Sequence, residues 1–366
     1  MEIPFLDLTI KDEKIREEII SKITDVINSG RYILGKEVSQ FEEEIAKYLD
    51  VEYAISCASG SDALFLSLLS LEIKPGDEVI TTPFTFFSTA STIKRLGAKP
   101  VFVDITPKTF NIDEKLIEKA ITSKTKAIIP VHLFGQTANM TEIMKIAKKH
   151  DLFVIEDACQ AIGAKHNSKK AGTFGDLGCF SFFPTKNLGG FGDGGLIVTN
   201  NKSLAQYLRK ARVHGSSKKY YHEFIGINSR LDAIQAAILR IKLKHLDNWN
   251  SKRRDIAKKY SKALMHSFQV PLIEKENLHV FHQYSLLAKD KLHREKIISN
   301  LKKENISSKI YYPLPLHLQP CFSELNYKEG DFPVSEEISK RIFSLPIYPT
   351  LSETKVKKII GTIKNE

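Results

Sequence analysis

The sequence predicts an α/β protein with a largely parallel central sheet, and two observations lead to this class. Short apolar runs alternate with helix-like patterns up to about Leu231, and such alternation is typical of a parallel sheet covered by helices. A chain of 366 residues with 42% hydrophobic and 27% charged side chains is also long enough for two or three structural units with sizeable cores. The predicted strands are Tyr53–Cys57, Glu78–Thr82, Pro100–Asp104, Lys126–Val131, Leu152–Glu156, Cys179–Phe183 and Leu196–Thr199.

Two amphipathic helices are predicted before the first strand. In the segment Asp12–Ser29 the apolar residues recur three and four positions apart, and Gly30 supplies a stop. These apolar residues are Ile15, Ile19, Ile23, Val26 and Ile27. The second helix has its apolar side formed by Val38, Phe41, Ile45, Tyr48 and Leu49. Stripes of this kind predict that one side of each helix is buried.

The pattern changes after Leu231, where one long helical stretch runs to about Phe268 and a smaller α+β unit follows. No Pro-rich or Gly-rich linker marks a boundary. We therefore place a soft boundary near residue 245. The expected domains are a large α/β domain, residues 1–245, and a small C-terminal α+β domain, residues 246–366.

Composition argues against several classes of protein. No run of eighteen apolar residues occurs, and the start Met1–Pro4 lacks the basic and apolar stretches of a signal peptide. These features predict a cytoplasmic protein without a membrane partner. The four cysteines are far apart and form no CxxC pair, which favours reduced thiols over a disulfide framework or a zinc site, so no metal is expected.

The net charge of +11 raises the question of an anionic partner such as nucleic acid. Basic residues are nevertheless interleaved with acidic ones along most of the chain. The densest cluster, Lys252–Arg254 with Lys258 and Lys259, falls inside an amphipathic helical pattern. We interpret it as a solvated helix face and expect no nucleic-acid partner.

A glycine-rich segment, Gly190–Gly195, matches the pattern GxGxxG. A dinucleotide-binding turn needs a strand before these glycines and a helix after them, whereas a predicted strand follows here. The glycines instead predict a flexible loop directly after Lys186. That lysine comes just after the predicted strand Cys179–Phe183, and ligands of α/β sheets bind at the carboxyl ends of strands. The alternative is that Lys186 is one surface lysine among many.

Two further strand ends carry polar groups. Asp157 and Gln160 follow the predicted strand Leu152–Glu156, and a buried aspartate requires a cationic partner. The segment Ala58–Leu64 turns through glycine into an apolar helix, whose free N–H groups form a phosphate-binding site. Ser61 and Ser181 add hydroxyl donors. A lysine for an aldehyde, an aspartate for a pyridinium nitrogen and a phosphate cup together match pyridoxal 5'-phosphate (PLP).

Seven stretches, in order along the chain, make the sequence similar to the DegT-type nucleotide-sugar aminotransferases, a branch of the fold-type I PLP enzymes. The resemblance covers nearly the whole length. The stretches are Ser29–Gly35, Gly60–Leu64, Glu156–Ala161, Ser181–Asn187, Gly226–Asp232, Tyr312–His317 and Leu345–Pro346. The resemblance implies the fold-type I architecture, with a mostly parallel central sheet in the large domain.

The resemblance also implies roles for individual residues. Lys186 would bind the PLP aldehyde as a Schiff base, Asp157 would pair with the pyridinium nitrogen, and Gln160 would lie near the ring hydroxyl. The aromatic residue that stacks on the ring falls at Phe86, although Phe84, Phe86 and Phe87 are equally compatible with a core position. The phosphate would be held by Gly60, Ser61, Asp62 and Ser181, with Asn228 reaching it from the neighbouring subunit of a homodimer.

The implied reaction is transamination, with pyridoxamine 5'-phosphate as the intermediate form of the cofactor. Glutamate would donate the amine and a nucleotide-linked keto sugar would accept it. Arg230 and His317 are candidates for substrate contact, and each is equally compatible with a structural role. A dehydratase branch of the same family commonly has His in place of the lysine, so Lys186 favours transamination.

Within this family, the segments Arg212–Gly215 and Lys219–His222 are most similar to enzymes that aminate C3 of a UDP-linked 3-keto N-acetylglucosamine or its uronic acid. Tyr311–Tyr312 departs from the His-Tyr pair of the uronate enzyme. The expected product feeds a cell-surface polysaccharide, O-antigen or lipid A. The alternatives are a dTDP-linked 3-keto-6-deoxyhexose, a UDP-linked 4-keto sugar, another PLP reaction such as aldol cleavage or desulfuration, and a non-catalytic regulatory or nucleic-acid-binding role.

Overall fold

A computed structural model describes residues 2–364 of the chain. Met1, Asn365 and Glu366 lie outside the described residues, and the last two belong to the predicted C-terminal domain. The helices are α1 (Glu13–Ser29), α2 (Lys36–Leu49), α3 (Gly60–Ser70), α4 (Ser88–Arg95), α5 (Glu114–Ala120), α6 (Met140–His150), α7 (Lys202–Ala211), α8 (Ala233–Leu243), α9 (Leu246–Leu264), α10 (Lys291–Lys303), α11 (Pro333–Arg341) and α12 (Glu353–Lys364).

The central sheet has seven strands in the order β1-β9-β8-β5-β4-β2-β3. Neighbouring strands are parallel except at β9, which runs antiparallel to both β1 and β8. The strands are β1 (Tyr53–Cys57), β2 (Glu78–Thr81), β3 (Lys99–Phe102), β4 (Thr125–Ile128), β5 (Phe153–Asp157), β6 (Lys165–His166), β7 (Lys169–Lys170), β8 (Leu177–Ser181), β9 (Gly195–Thr199), β10 (Ser216–Lys218), β11 (Tyr221–His222), β12 (Asn277–Leu278), β13 (Tyr284–Leu287) and β14 (Ile342–Leu345). The predicted α/β class is thereby confirmed.

All seven predicted strands belong to this sheet, with their ends displaced by a few residues. The end of β4 moves from the predicted Val131 to Ile128. A second correction concerns β8, which was predicted to end at Phe183. Its pairing with β9 stops at the pair Ser181 and Gly195, and Phe182 is buried from the following loop. An apolar residue that fills the core from a loop extends the apparent strand in the sequence, because burial alone does not distinguish the two.

Helix α1 begins where the sequence predicted, because the side chain of Asp12 accepts hydrogen bonds from the backbone N–H groups of Lys14 and Ile15. Ile15 and Ile19 pack against Ile238 and Ile241 of α8. Ile27, predicted on the same buried stripe, is 53% exposed. Within residues 2–364, no helix combines the length and the apolar character needed to cross a membrane.

The predicted helical stretch from Leu231 to Phe268 is in fact two helices, α8 and α9. The chain breaks at Lys244 and His245, whose N–H groups bond to Ile241 and Lys242, three residues back. Such a tightened turn ends an α-helix without Pro or Gly, so no residue type in the sequence marked it. The break coincides with the predicted domain boundary.

The C-terminal part contains the antiparallel pair β13 and β14, surrounded by α9, α10 and α12. One hydrophobic cluster joins these elements, with Tyr260, Tyr284 and Phe343 among its largest buried members. The N-terminal segment also reaches this unit, because the N–H of Ile3 donates to the carbonyl of Asn305. The division into residues 1–245 and 246–366 stays a prediction.

Candidate active site

A cavity of about 680 Å³ opens at the carboxyl ends of β1, β5 and β8, the edge of the sheet where the sequence predicted a ligand. We call it the strand-end cavity. Of the eleven predicted site residues, those that line it are Gly60, Ser61, Phe86, Asp157, Gln160, Ser181 and Lys186. Asp62, Asn228, Arg230 and His317 are outside this lining.

The N-terminus of α3 forms one side of the strand-end cavity. The hydroxyl of Ser59 accepts a hydrogen bond from the N–H of Asp62 and so caps the helix. A Cβ atom placed on Gly60 would lie 2.8 Å from Cβ of Ser181 and 2.9 Å from Sγ of Cys159. Glycine is therefore required here, because the backbone at the start of α3 lies directly against β8. The hydroxyl of Ser61 is 2.6 Å from that of Ser88.

Asp157 ends β5 at the base of the cavity and is only 6% exposed. Its Oδ2 accepts a hydrogen bond from the hydroxyl of Thr89 at 2.8 Å, and its Oδ1 accepts one from the N–H of Cys159 at 3.2 Å. Both donors are neutral, and within the described chain no ion pair involves this carboxylate. A buried carboxylate held in this way has one unmet requirement, a cationic partner. Thr89 is a site residue that the sequence analysis missed.

Lys186 lies in the loop 182–194, which joins β8 to β9. The loop is pinned by neighbouring contacts: the N–H of Lys186 donates to the carbonyl of Phe183 at 2.8 Å, and the amide of Asn187 donates to Oδ1 of Asn250 at 2.7 Å. Burial lowers the pKa of Lys186, and the nearby Cys159 and Asp157 oppose that shift. A lysine with a lowered pKa has a larger fraction of neutral amine, which is the nucleophilic form.

His282 lines the strand-end cavity and is another residue that the sequence did not indicate. Its Nδ1 is 3.3 Å from Oδ1 of Asn187, so it supports the loop that carries the lysine. Burial is the main cause that lowers the pKa of His282, and the adjacent positive charges of Lys186 and Arg253 lower it further. The ring is therefore neutral at physiological pH.

Both ends of the Gln160 amide are fixed. Its Oε1 accepts a hydrogen bond from the N–H of Phe134 at 2.9 Å, and its Nε2 donates to the hydroxyl of Tyr312 at 3.0 Å. Burial raises the pKa of Tyr312, so this hydroxyl stays protonated. Gln160 thus presents a defined face to the cavity.

The three phenylalanines of the segment 84–87 have separate environments. Phe84 is fully buried, whereas Phe86 is 55% exposed and lines the strand-end cavity. Phe87 is 45% exposed and packs against Phe322 with ring centroids 5.7 Å apart. The alternative that all three form core is therefore wrong. Phe86 is available to stack on a planar ligand.

Asp62 is in the first turn of α3, and Asn228 is next to Ser229, which contacts Asp62. Oδ2 of Asp62 accepts a hydrogen bond from the hydroxyl of Ser229 at 2.7 Å, and that hydroxyl in turn accepts one from the N–H of Ala58. The adjacent Asn228 is exposed and pairs through its backbone with Val213. A role for Asn228 in a neighbouring subunit stays a prediction.

Arg230 and His317, the two candidates for substrate contact, differ in burial. Arg230 is partly exposed, whereas His317 is 2% exposed. Nε2 of His317 is 3.0 Å from a carboxylate oxygen of Glu336, which also accepts from the N–H groups of Gly330 and Phe332. Burial lowers the pKa of His317, although the bond to Glu336 opposes this shift. Both substrate roles stay predictions.

The residues of the strand-end cavity fit PLP. The buried carboxylate of Asp157 lacks a cationic partner, which the ring nitrogen supplies. The helix terminus at Gly60 and Ser61 offers N–H and hydroxyl donors to a phosphate. Lys186 lines the same cavity and carries an amine that would bind the aldehyde.

A lysine and a buried aspartate in one cavity, at the carboxyl edge of a mostly parallel seven-stranded sheet, define the class of fold-type I PLP enzymes. Residues 13–364 match the model of the DegT/DnrJ/EryC1/StrS aminotransferase family, and the chain belongs to this family. It is a PLP-dependent aminotransferase. The resemblance inferred from the sequence is confirmed.

Three curated relatives illustrate how the family is named. A "pleiotropic regulatory protein" of Geobacillus stearothermophilus is 49% identical over 99% of this chain and 98% of its own length. A UDP-N-acetyl-3-dehydro-α-D-glucosamine 3-aminotransferase of Acidithiobacillus ferrooxidans is 44% identical, with 99% and 97% covered. A dTDP-3-amino-3,6-dideoxy-α-D-galactopyranose transaminase of Aneurinibacillus thermoaerophilus is also 44% identical, with 99% and 98% covered.

Among solved structures, NtdA of Bacillus subtilis with bound cofactor PMP has a TM-score of 0.92 and is 33% identical. The match covers all of this chain and 85% of that one. The predicted fold-type I architecture is confirmed by this likeness.

Proposed function

We propose that this aminotransferase transfers the amino group of glutamate to a nucleotide-linked keto sugar, with C3 of a UDP-linked 3-keto-N-acetylglucosamine as the acceptor. The observation that carries the amino transfer is the presence of Lys186 and Asp157 in one buried cavity beside the N-terminus of α3. The choice of sugar rests on the sequence resemblance and on the name of the UDP-sugar relative. A cytoplasmic location and a place in cell-surface polysaccharide or lipid A synthesis are part of this proposal.

PLP, when bound, supplies an electron sink for negative charge that develops at the substrate carbon. Asp157, which is held by its bonds to Thr89 and Cys159, would pair with the ring nitrogen and favour its protonated form. Gly60, Ser61 and Ser181 would hold the phosphate with backbone and hydroxyl donors. Phe86 would stack on the ring, and Gln160 would lie near its hydroxyl.

Lys186 is the residue that we assign to the proton transfers. Its Nζ would hold the cofactor through the aldehyde and, when free, would act as the base that moves a proton at the substrate carbon. The lowered pKa of Lys186 suits this role, because a base works best when its pKa lies near the working pH. The contacts of the loop 182–194 hold Lys186 in the wall of the strand-end cavity.

Borohydride reduction followed by peptide mass mapping tests the cofactor assignment. We expect a pyridoxyl group on the peptide that contains Lys186 and on no other. A label on another lysine, or none, contradicts the assigned site. Lys124, exposed and remote, gives an internal reference for non-specific labelling.

A substrate panel tests the acceptor. Purified holoenzyme is supplied with glutamate and with UDP-linked and dTDP-linked 3-keto and 4-keto sugars, and 2-oxoglutarate is measured. We expect the highest kcat/KM for the UDP-linked 3-keto N-acetylhexosamine. A tenfold preference for a dTDP-linked or 4-keto sugar overturns the choice. A dTDP-linked sugar is the principal alternative, because the dTDP-sugar relative and the UDP-sugar relative are equally identical to this chain.

We further propose a homodimer whose active sites share Asn228. Its exposed position outside the cavity of its own chain supports a role across an interface. Co-expression of Lys186→Ala with Asn228→Ala tests this idea. If Asn228 acts in the neighbouring site, mixed dimers contain one intact site and recover activity that neither variant has alone. Absence of recovery in isolated mixed dimers contradicts the shared site.

The relative named as a regulatory protein keeps a regulatory role as a second candidate. The cavity chemistry predicts turnover, which a purely regulatory protein lacks. A salt-dependent affinity for duplex DNA, with no 2-oxoglutarate formed from any sugar in the panel, favours the regulatory role.

A further inference from the structure

A second cavity, of about 390 Å³, adjoins the loop 182–194 and shares only Lys186 with the strand-end cavity. Its walls come from the N-terminal segment, the junction of α8 with α9, and the chain near Pro349. Six basic side chains line it: Lys11, Lys186, Lys242, His245, Lys252 and Arg253. Two aromatic rings, Phe191 and Trp249, line it as well. Of these eight residues, the amino-transfer chemistry uses only Lys186.

Arg253 is the most deeply buried cation of this wall, at 5% exposure. Its Nη1 donates to two carbonyl oxygens, of Ile347 at 2.7 Å and of Phe281 at 3.4 Å. Its Nε has no hydrogen-bond partner among the described residues. No carboxylate forms an ion pair with it there, and burial lowers the pKa of Arg253 to about 10.

Lys242 repeats this pattern on α8. It is 8% exposed, its Nζ donates to the carbonyl of Gly189, and it lies 5.5 Å from the ring centroid of Phe191. Burial lowers the pKa of Lys242 to about 8. Two buried cations without counter-charges on one cavity wall are costly unless an anion compensates them.

The acidic groups of the same wall are already engaged. Asp7 forms an ion pair with Lys11 at 2.6 Å and accepts a hydrogen bond from Thr9, and these contacts lower its pKa to about 2 against the effect of burial. Asp12 caps α1. The excess positive charge of the cavity therefore faces its interior space.

We propose that the second cavity binds the phosphate groups of a nucleoside diphosphate, with the base against Trp249. Arg253, Lys242 and Lys252 supply charged donors for phosphate oxygens. Trp249 lines the cavity and already stacks on His245, with ring centroids 5.7 Å apart. A base would extend this stack, and stacking of bases on aromatic rings is a common mode of nucleotide binding. A volume of about 390 Å³ falls within the range of small-molecule sites. This site is additional to the amino-transfer site and does not rest on the proposed substrate.

The chain contains a single tryptophan, so tryptophan fluorescence reports on this cavity. Holoenzyme is titrated with UDP, with inorganic pyrophosphate and with uridine, and protection of Trp249 from iodide quenching is measured. We expect saturable protection by UDP, weaker protection by pyrophosphate and none by uridine. Equal responses to UDP and pyrophosphate indicate a site for phosphate without the base and overturn the nucleotide assignment. No response to either anion overturns the site.

A matched pair of variants on α9 gives the control. Lys252→Glu reverses a charge at the cavity, whereas Lys258→Glu makes the same change at an exposed position of the same helix that does not line it. We expect Lys252→Glu to weaken UDP binding about tenfold or more, in line with the loss of a charge-assisted contact. Lys258→Glu should change it less than twofold. Equal effects of the two variants indicate general charge attraction and contradict a defined site.

The KM for the nucleotide sugar separates this proposal from the amino-transfer function. Lys252→Glu should need about tenfold more UDP or a larger excess for the same fluorescence response, while keeping that KM within about twofold. If the substitution changes the fluorescence response and the KM for the nucleotide sugar together, the UDP signal arises from the strand-end cavity and the second site is refuted. If no sugar is a substrate, the fluorescence titration still tests whether UDP binds in the second cavity.

Discussion

Two walls of the strand-end cavity are built in different ways. The sheet wall consists of Gly60, Asp157, Ser181 and Lys186, which are at strand ends or follow them closely. The C-terminal wall is formed by Ile310–Leu314, Leu316 and Gln319. The Gln160–Tyr312 hydrogen bond joins it to the sheet wall. We assign the chemistry to the first wall, where the position of the backbone fixes each side chain. We infer that the second wall orients the bound molecules.

Lys186→Ala should have the largest effect of any substitution in the sheet wall. It removes both the group that binds the aldehyde and the proton-transferring base, and we expect turnover to fall about 10³–10⁴-fold. Cofactor content should persist, because the phosphate and ring contacts remain. Absorbance spectra and single-turnover assays measure both quantities. Lys124→Ala serves as the control, and a near-normal rate of Lys186→Ala refutes the assignment.

Asp157→Asn should rank next. The amide is almost the same size, so the fold and the contact with Thr89 remain possible, but a neutral group does not hold a proton on the ring nitrogen. We expect kcat to fall roughly 100-fold with PLP still bound. Steady-state kinetics together with cofactor titration provide the measurement. If PLP is lost but kcat per bound cofactor is unchanged, Asp157 contributes to cofactor binding alone, and its assigned role in turnover is contradicted.

Gly60→Ala tests the close approach of α3 to β8. The added Cβ would lie 2.8 Å from Cβ of Ser181, and such overpacking costs about 1–3 kcal/mol. The matched control is Gly361→Ala in α12, where no atom lies within 4 Å and a gain of about 0.5–1 kcal/mol is expected from helix propensity. Denaturant unfolding of both variants gives the free energies. Opposite signs support the packing argument, and a stabilised Gly60→Ala contradicts it.

Residues near strand ends could be predicted from the sequence, whereas residues that depend on long-range contacts could not. Lys186, Asp157 and Gly60 were predicted because each lies within a few residues of a predicted strand end, and strand ends are visible in a sequence. Thr89, His282 and Tyr312 were not found as site residues, because their contacts cross 68, 95 and 152 positions respectively. Long-range contacts of this kind depend on the sheet order. No local pattern encodes them.

Helix and strand ends show the same limit. Asp12 and Gly30 mark the ends of α1 locally, and both were predicted correctly. The break at Lys244 depends on tightened backbone bonding with no marker residue, and the end of β8 was obscured by the buried Phe182. The seven strands of the sheet were predicted from the sequence, whereas the antiparallel direction of β9 was seen only in the structure.

Thr89→Val should have a smaller effect and sharpen the comparison within the sheet wall. It removes the 2.8 Å hydrogen bond to Asp157 at nearly constant volume, which costs about 1–3 kcal/mol for a buried carboxylate. We expect kcat to fall about tenfold with little change in KM, and Thr89→Ser to restore it. Ser88→Ala, next in sequence but bonded to Ser61, should instead weaken cofactor binding. Similar kinetics for the two variants indicate a general packing effect.

Tyr312→Phe should have the smallest effect, because it alters the C-terminal wall only. The substitution removes the hydroxyl that accepts from Nε2 of Gln160 at 3.0 Å, while Oε1 of Gln160 keeps its bond to the N–H of Phe134. One neutral hydrogen bond contributes about 0.5–1.5 kcal/mol, so kcat/KM should fall between about twofold and tenfold. Steady-state kinetics with the preferred sugar provide the measurement. A loss larger than that of Asp157→Asn breaks the comparison, because it places a chemical step on the wall that we assign to orientation.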